Sequence, residues 1–280
     1  MPQVAPVLER RADEHWQLAV SWAHSAEQVC EAQRLRYRVF ALEMGACLTP
    51  PPGTAPGLDA DRFDSFCDHL LVHARQNGRR ARTTLVGTYR VLSPVAARRA
   101  GGFYMDTEFD LAPLTALRLD AVELGRSCVD PAWRSGAVIM ALWSALGAYM
   151  RSHAAQTMIG CASIPLQTNL HGVAGLWQQL SLTYLAAPQW QIKPLIGIPP
   201  DDSGSGSSET VATLRLCAAG GARITSDELA LPPLIKGYLR CGARLLGPPA
   251  LDLAFNTADL PMMLQVEDLT PRYRRHFLGH

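Results

Sequence analysis

The sequence predicts an α/β fold of the α+β kind, and three observations carry that expectation. Strand-like and helix-like segments follow one another in the order β α β β, then β α β α β. The 280 residues are 48% apolar and 18% charged, which supplies one large core and excludes a disordered or collagen-like chain. The most apolar stretch, 137–150, lies between Arg134 and Arg151 and is shorter than the ~20 residues that span a bilayer, so it reads as a buried helix.

Residues 1–14 are a polar leader with no apolar stretch behind the charges, unlike a secretory signal. WQLAVSWA (16–23) reads as a strand, and 26–45 as an amphipathic helix ending at Gly45. Val29, Gln33, Arg36 and Phe40 share one stripe of that helix, so two polar side chains among apolar ones must face a site or a buried ion pair. LTPPPGTAPG (48–57) is a loop, because proline lacks an amide donor and glycine is costly to order. Strands at 67–74 and 83–92, on either side of QNGRR, predict an antiparallel hairpin. A helical turn at 94–99 and the segment FYMDTEFDL (103–111) precede a strand at 119–131 that Asp-Pro stops. A long helix (133–153), a strand (157–165) and a glycine-weakened helix (167–180) follow. Residues 188–209 read as a loop, 209–218 as a strand, and 231–280 as a helix, short strands and a final basic helix.

Composition narrows the chemistry. Lys+Arg 26 against Asp+Glu 25 leaves a net charge of +1, so no global field draws the chain to nucleic acid. Lys193 and Lys236 are the only lysines; the remaining cations are arginines, suited to carboxylates and phosphates. Seven cysteines without a C-x-x-C pair read as reduced cytosolic thiols, with no disulfide framework and no metal site. There is no P-loop, G-x-G-x-x-G, H-E-x-x-H, G-x-S-x-G or H-x4-D.

The ionisable residues that stand out lie inside apolar runs: Arg36, Asp61, Asp64, Arg90, Glu123 and Arg126. Charges so placed need partners, either as a functional cluster or as a structural ion-pair network. On a straight strand Glu123 and Arg126 would point to opposite faces; a β-bulge beside Gly125 would bring them to one side.

The order of these residues resembles that of the acyl-homoserine-lactone synthases and their relatives in the GNAT acyltransferase superfamily. The pattern R-x-x-x-F, D-x-x-D, G-x-x-R, Phe, E-x-x-R stands here as Arg36 to Phe40, Asp61 to Asp64, Gly87 to Arg90, Phe109, and Glu123 to Arg126. DRFDSFCDHLLV, VGTYRVL, FYMDTEFDL, ELGRSCVDP and the tail from Leu231 to Gln265 resemble more closely the ornithine N-acyltransferases that begin ornithine-lipid synthesis, a family often labelled hemolysin-like. The resemblance runs over roughly 26–278. It implies a GNAT domain at 15–220, with a mixed, mostly antiparallel sheet splayed between the strands near 119–129 and 157–164, helices on both faces, and a C-terminal extension, 221–280, packed on the domain.

By that resemblance the α-amine of L-ornithine attacks the thioester of a (3-hydroxy)acyl carrier protein, whose 4'-phosphopantetheine is the donor arm; no cofactor is held permanently. The CoA-type R/Q-x-x-G-x-G/A loop is reduced to Trp133-Arg134-Ser135-Gly136-Ala137, which favours the carrier protein as donor. Glu123 is the expected base, with a pKa raised by burial, beside Arg126. Arg90 and Arg126 bind the substrate carboxylate or hold Glu123; Arg36, Asp61 and Asp64 rim the site, with an aspartate on the ornithine ammonium, or simply order the loop. Phe40, Phe109, Ser127, Cys128 and Val129 complete the substrate site, an amide near 128–130 polarising the carbonyl while the Cys128 thiol only packs. Met140, Trp143, Leu146 and Met150 line an acyl channel or form ordinary core. Arg98, Arg99, Arg134 and Arg151 are the carrier-protein patch. The last helix, with Arg272, Arg274, Arg275, Tyr273 and Phe277, is either a membrane-surface anchor at the inner membrane or a C-terminal cap. Other acceptors (S-adenosylmethionine, glycine, serine, lysine) and a non-catalytic acyl or carrier-protein binding module are the alternatives.

Overall fold

The computed structural model describes residues 16–76, 82–166, 170–198 and 231–278. Its central sheet has eight strands. β1 (Trp16–Trp22), β2 (Asp68–Gln76), β3 (Thr83–Leu92), β5 (Ala121–Val129), β6 (Thr157–Pro165), β10 (Thr257–Gln265) and β8 (Arg244–Leu245) neighbour one another in that order, and β9 (Ala250–Asp252) also pairs with β10. β4 (Phe109–Asp110) and β7 (Lys193–Pro194) form a separate two-stranded sheet. All pairs are antiparallel except β5 with β6, so the sheet is mixed and mostly antiparallel.

Helices cover both faces. α1 (Ala26–Tyr37) is capped by Ser25, whose Oγ accepts the Gln28 amide, and buries Ala32 and Leu35 against Leu71 and Leu85. It passes directly into a π-helical turn, Arg38–Glu43, so the helical run expected over 26–45 is continuous but changes pitch before Gly45. α2 (Pro94–Ala100) begins with Ser93 as cap and proline in its first turn. α3 (Ala137–Ser152) packs Val138, Leu142 and Leu146 on the opposite face of β2, β3 and β5. α4 (Leu170–Tyr184) and α5 (Pro233–Cys241) cover β6 and β10, and α6 (Pro271–Leu278) packs on α3 through Phe277 and Trp143.

The sheet opens where the resemblance placed the opening. β5 and β6 pair only at Ala121↔Thr157, Val122↔Met158 and Glu123↔Ile159. A Cβ at Gly160 would lie 2.3 Å from the Leu124 carbonyl oxygen, so only glycine lets the two strands approach this closely before they part. Beyond that point β6 turns fully to β10, which pairs with it from Thr157↔Gln265 to Pro165↔Thr257.

Two expectations change. The tail, expected to hold only short strands, supplies a nine-residue strand of the central sheet. Pro261 sits in that strand because its carbonyl, and hence its missing N–H, faces Leu246 at the gap between β8 and β9 rather than β6. Residues 117–119 form a 3-10 turn, shortening the strand expected at 119–131 to 121–129. The strand expected at 209–218 and the turn at 77–80 lie outside the described residues.

Candidate active site

The opening between β5 and β6 leads into a cleft of about 530 Å³ whose lining includes Phe40, Arg90, Tyr104, Glu123 and residues 125–129. The residues facing it are set by an irregularity in β5. Against β3 the register runs Thr88↔Cys128 but Arg90↔Gly125, so β5 carries one extra residue there. The bulge lies beside Gly125 as expected, yet the left-handed backbone falls on Arg126, at φ 50°. A non-glycine residue there stores strain of about 1–3 kcal/mol, which the surroundings of Arg126 must hold in place. The consequence is that Glu123 and Arg126 meet elements on the same face of the sheet, the turn at Tyr104–Thr107 and the loop at 59–64.

Glu123 is almost wholly buried. Its Oε2 accepts the Tyr104 amide and its Oε1 the Met105 amide, each at 2.7 Å. Burial pushes its pKa up to about 7, against the pull of those two amides and of Arg90. Each oxygen keeps a lone pair beyond its amide bond, so the carboxylate is fixed in orientation and still able to take a proton. No ion pair joins it to Arg126 or Arg90 among the described residues; backbone amides, not arginines, hold it.

The arginines are held elsewhere. Arg36, inaccessible to solvent, donates from Nε to Asp59 Oδ2 (2.8 Å), from Nη1 and Nη2 to the two oxygens of Asp64 (2.9 and 2.8 Å), and also to the Asp59 carbonyl. Gln33, one turn earlier, donates to Asp64, so the polar stripe of α1 faces a buried ion-pair network. Arg90 reaches both oxygens of Asp61 at 2.7 Å, and Arg126 reaches Asp61 at 3.1 Å. Burial alone would raise Asp64 and Asp61, but Arg36 and Arg90 hold Asp64 well below the usual carboxylate range, and Arg90 and Arg126 lower Asp61. Arg126 also lies between two rings, 4.7 Å from Tyr104 and 4.4 Å from Phe255, whose edge meets Phe40. Three aspartates and three arginines thus neutralise one another, and Asp61 and Asp64 have no spare capacity for a substrate ammonium.

The family described as Acetyltransferase (GNAT) domain matches residues 35–144. The L-ornithine N(alpha)-acyltransferase of Brucella abortus (strain 2308) is 34% identical over 267 residues, which is 93% of this chain and 88% of that protein. The chain belongs to this L-ornithine N(alpha)-acyltransferase family. The enzyme of that name from Agrobacterium fabrum (strain C58 / ATCC 33970) is 35% identical over 260 residues, 92% of this chain and 84% of that protein. Among solved structures, the AHL synthase LasI is 13% identical with a TM-score of 0.48, covering 95% of this chain and 96% of its own. FeeM, an N-acyl amino acid synthase from uncultured soil microbes, is 12% identical with a TM-score of 0.47, covering 92% and 97%. The protein is an amide-forming acyltransferase.

In this acyltransferase most of the expected site residues converge and a few do not. Ser127, Cys128, Val129 and Arg134 line the cleft with Phe40, Arg90, Glu123 and Arg126, while Arg36, Asp61 and Asp64 form the network behind it. Cys128 is buried and its thiol is pushed up to about 12, so it is no nucleophile. The Asp130 amide is taken by the Val86 carbonyl, which removes it from the carbonyl-polarising donors expected at 128–130. Phe109 is a correction: it is buried in the core with Phe103 and Leu111 and does not line the cleft.

The four arginines expected as one patch are dispersed. Arg134 stands at the cleft, bound through both Nη to Glu43 and through Nε to the Val129 carbonyl. Arg151 lies near the other end of α3, about 21 Å along the helix from Ala137 at 1.5 Å per residue, and donates to the Phe277 carbonyl. Arg98 and Arg99 are on α2, beyond the opposite end of β3 from Gly87 and Val129. On α6, Phe277 is buried and Tyr273 stacks on it, so its aromatic side chains serve packing. Among the described residues no helix is long and apolar enough to cross a membrane. Reading the motifs missed Asp59, Tyr104, Phe255, and the acids Glu108, Asp252 and Asp259.

Proposed function

We propose that the protein transfers a 3-hydroxyacyl group from acyl carrier protein to the α-amine of L-ornithine, with Glu123 as general base. The observation that carries this reading is the Glu123 carboxylate, fixed by two amides in the cleft with a pKa near the working pH. An α-amine with a pKa of about 8 is mostly protonated at neutral pH and has no lone pair in that form, so a base must take a proton before nitrogen attacks. Glu123 takes it, the freed lone pair forms the C–N bond to the thioester carbon, and as the C–S bond breaks the second ammonium proton passes from nitrogen to the leaving sulfur, giving the amide and the pantetheine thiol; Glu123 then returns its proton to solvent. Arg126, in the cleft wall, meets the α-carboxylate.

The donor arm enters between β5 and β6, beside the cleft-lining Arg134, and acidic helices of the carrier meet Arg134 and the half-exposed Arg38. The acyl chain passes Trp143 and Tyr238 into the adjoining apolar pocket, which Leu146, Met150 and Met262 line; Met140 is not among its lining residues. The enzyme then works in the cytoplasm, where carrier protein and ornithine meet, and touches the inner membrane only to release its product.

The test is mass spectrometry of protein incubated with 3-hydroxyacyl carrier protein and equimolar ornithine, lysine, glycine, serine and S-adenosylmethionine. Acyl-ornithine is the expected product, falling ~100-fold or more with Glu123→Gln while thermal unfolding stays cooperative. Another acyl-amine removes ornithine as acceptor, and full activity in the variant removes Glu123 as base.

A further inference from the structure

We propose that the acidic recess formed by Glu108, Asp252 and Asp259 binds the side-chain ammonium of the acceptor amino acid and so decides which of its two amines reacts. The proposal rests on ornithine being the acceptor, as read above.

Asp259 and Cys161 put the recess on the β6 and β10 side of the cleft; Glu108, which follows the turn at Tyr104–Thr107 and does not itself line the cleft, is reached through Cys161. Asp252, Asp259, Cys161 and Ser163 line the cleft, and Ser163 pairs directly with Asp259 across β6 and β10. Carboxylate oxygens of Glu108 and Asp259 and the Cys161 sulfur lie within 4.8 Å of one another. Cys161 is two residues beyond Ile159, the partner of Glu123, and at 3.3 Å per residue that is about 7 Å along the strand. A three-methylene arm reaches this far from an α-amine at Glu123.

No salt bridge reaches Glu108, Asp252 or Asp259 among the described residues, whereas Asp59, Asp61 and Asp64 are each held by arginine. Glu108 Oε1 is buried with no hydrogen-bond partner among the described residues, in a side chain of a residue only 9% exposed. A buried carboxylate oxygen without a donor calls for one, and an ammonium brings three. Burial and the neighbouring acids push Glu108 up, and burial and Asp252 push Asp259 up, so the free recess holds a proton that an arriving ammonium would displace. Cys161 is itself pushed well above the ordinary thiol range, so it donates to Glu108 as a neutral thiol rather than serving as a thiolate metal ligand.

A side-chain amine in this recess stays protonated and cannot attack a carbonyl. Only the α-amine, beside Glu123, loses its proton and forms the amide.

The test compares ornithine with norvaline, the same chain without the terminal amine, in the wild type, Asp259→Asn and Glu108→Gln. It measures kcat/KM for each acceptor and the acylated nitrogen by fragmentation mass spectrometry. The wild type should prefer ornithine about tenfold or more. Either variant should lose that preference through KM for ornithine, with norvaline changed no more than about twofold, and acylation of the side-chain nitrogen should rise. Equal losses for both acceptors, or activity abolished by a chelator and restored by a divalent cation, would overturn the proposal. Wild-type protein that treats ornithine and norvaline alike overturns it while leaving ornithine a substrate; wild-type protein that makes no acyl-ornithine overturns the acceptor reading and the recess with it. Should Asp259→Asn fail to fold, Glu108→Gln carries the same ratio.

Discussion

Arg36 shows what one buried charge does for this site. It binds two aspartates from inside α1, and Asp64 in turn meets Arg90 behind the cleft. Arg36→Ala leaves Asp59 and Asp64 short of a partner in a dry environment, and urea unfolding should report a loss of about 3–5 kcal/mol. Arg36→Lys, with one charge and no planar fork, should recover only part of it. At this scale the sequence was readable wherever a charge interrupted an apolar run, which is how Arg36, Asp64, Arg90 and Glu123 stood out. Asp59 escaped because it follows a proline-rich loop with no periodicity to interrupt, and Glu108 because FYMDTEFDL is already polar at alternate places.

At the scale of elements, the Glu123 carboxylate in the cleft is the joint product of a strand and a turn. β5 supplies Glu123, the 3-10 turn at Tyr104–Thr107 supplies the two amides, and the bulge turns Arg126 to the same side. The pH dependence should follow: log kcat/KM rises with unit slope up to about pH 7 and then levels, as a base buried to that pKa requires. Met105→Pro removes one of the amides that favour the anion, so the inflection should move to higher pH, which a stopped-assay profile reads directly. Strands and helices with clear periodicity were legible here, including the site of the bulge. β10 was read only as short strands because Pro261 argues against a central strand until the gap between β8 and β9 is known, and the two-residue β4 and β7 have no period at all.

Over the whole molecule, two sets of carboxylates pull stability in opposite directions with pH. Asp61 and Asp64 ionise below the ordinary range, so their contribution is present above about pH 4 and is lost as the pH falls through their folded values. Glu123, Glu108 and Asp259 are raised, so they bind protons in the folded chain that they release in the unfolded one, and stability falls as the pH climbs from the carboxylate range through about 6 for Asp259, about 7 for Glu123 and higher still for Glu108. Urea midpoints should therefore peak at about pH 4–5 and decline towards alkaline pH, and Glu108→Gln should flatten that decline.

Because β6 holds β5 by three residue pairs and β10 by its full length, the order of synthesis matters to the newborn chain. Until residue 265 has left the ribosome, most of one edge of β6 has nothing to bind, and the wall that carries Asp259 does not exist. The first half of the catalytic face can assemble while translation continues, but the nascent protein must keep a sticky strand out of trouble for roughly a hundred residues, about 5–20 s at bacterial or eukaryotic elongation rates.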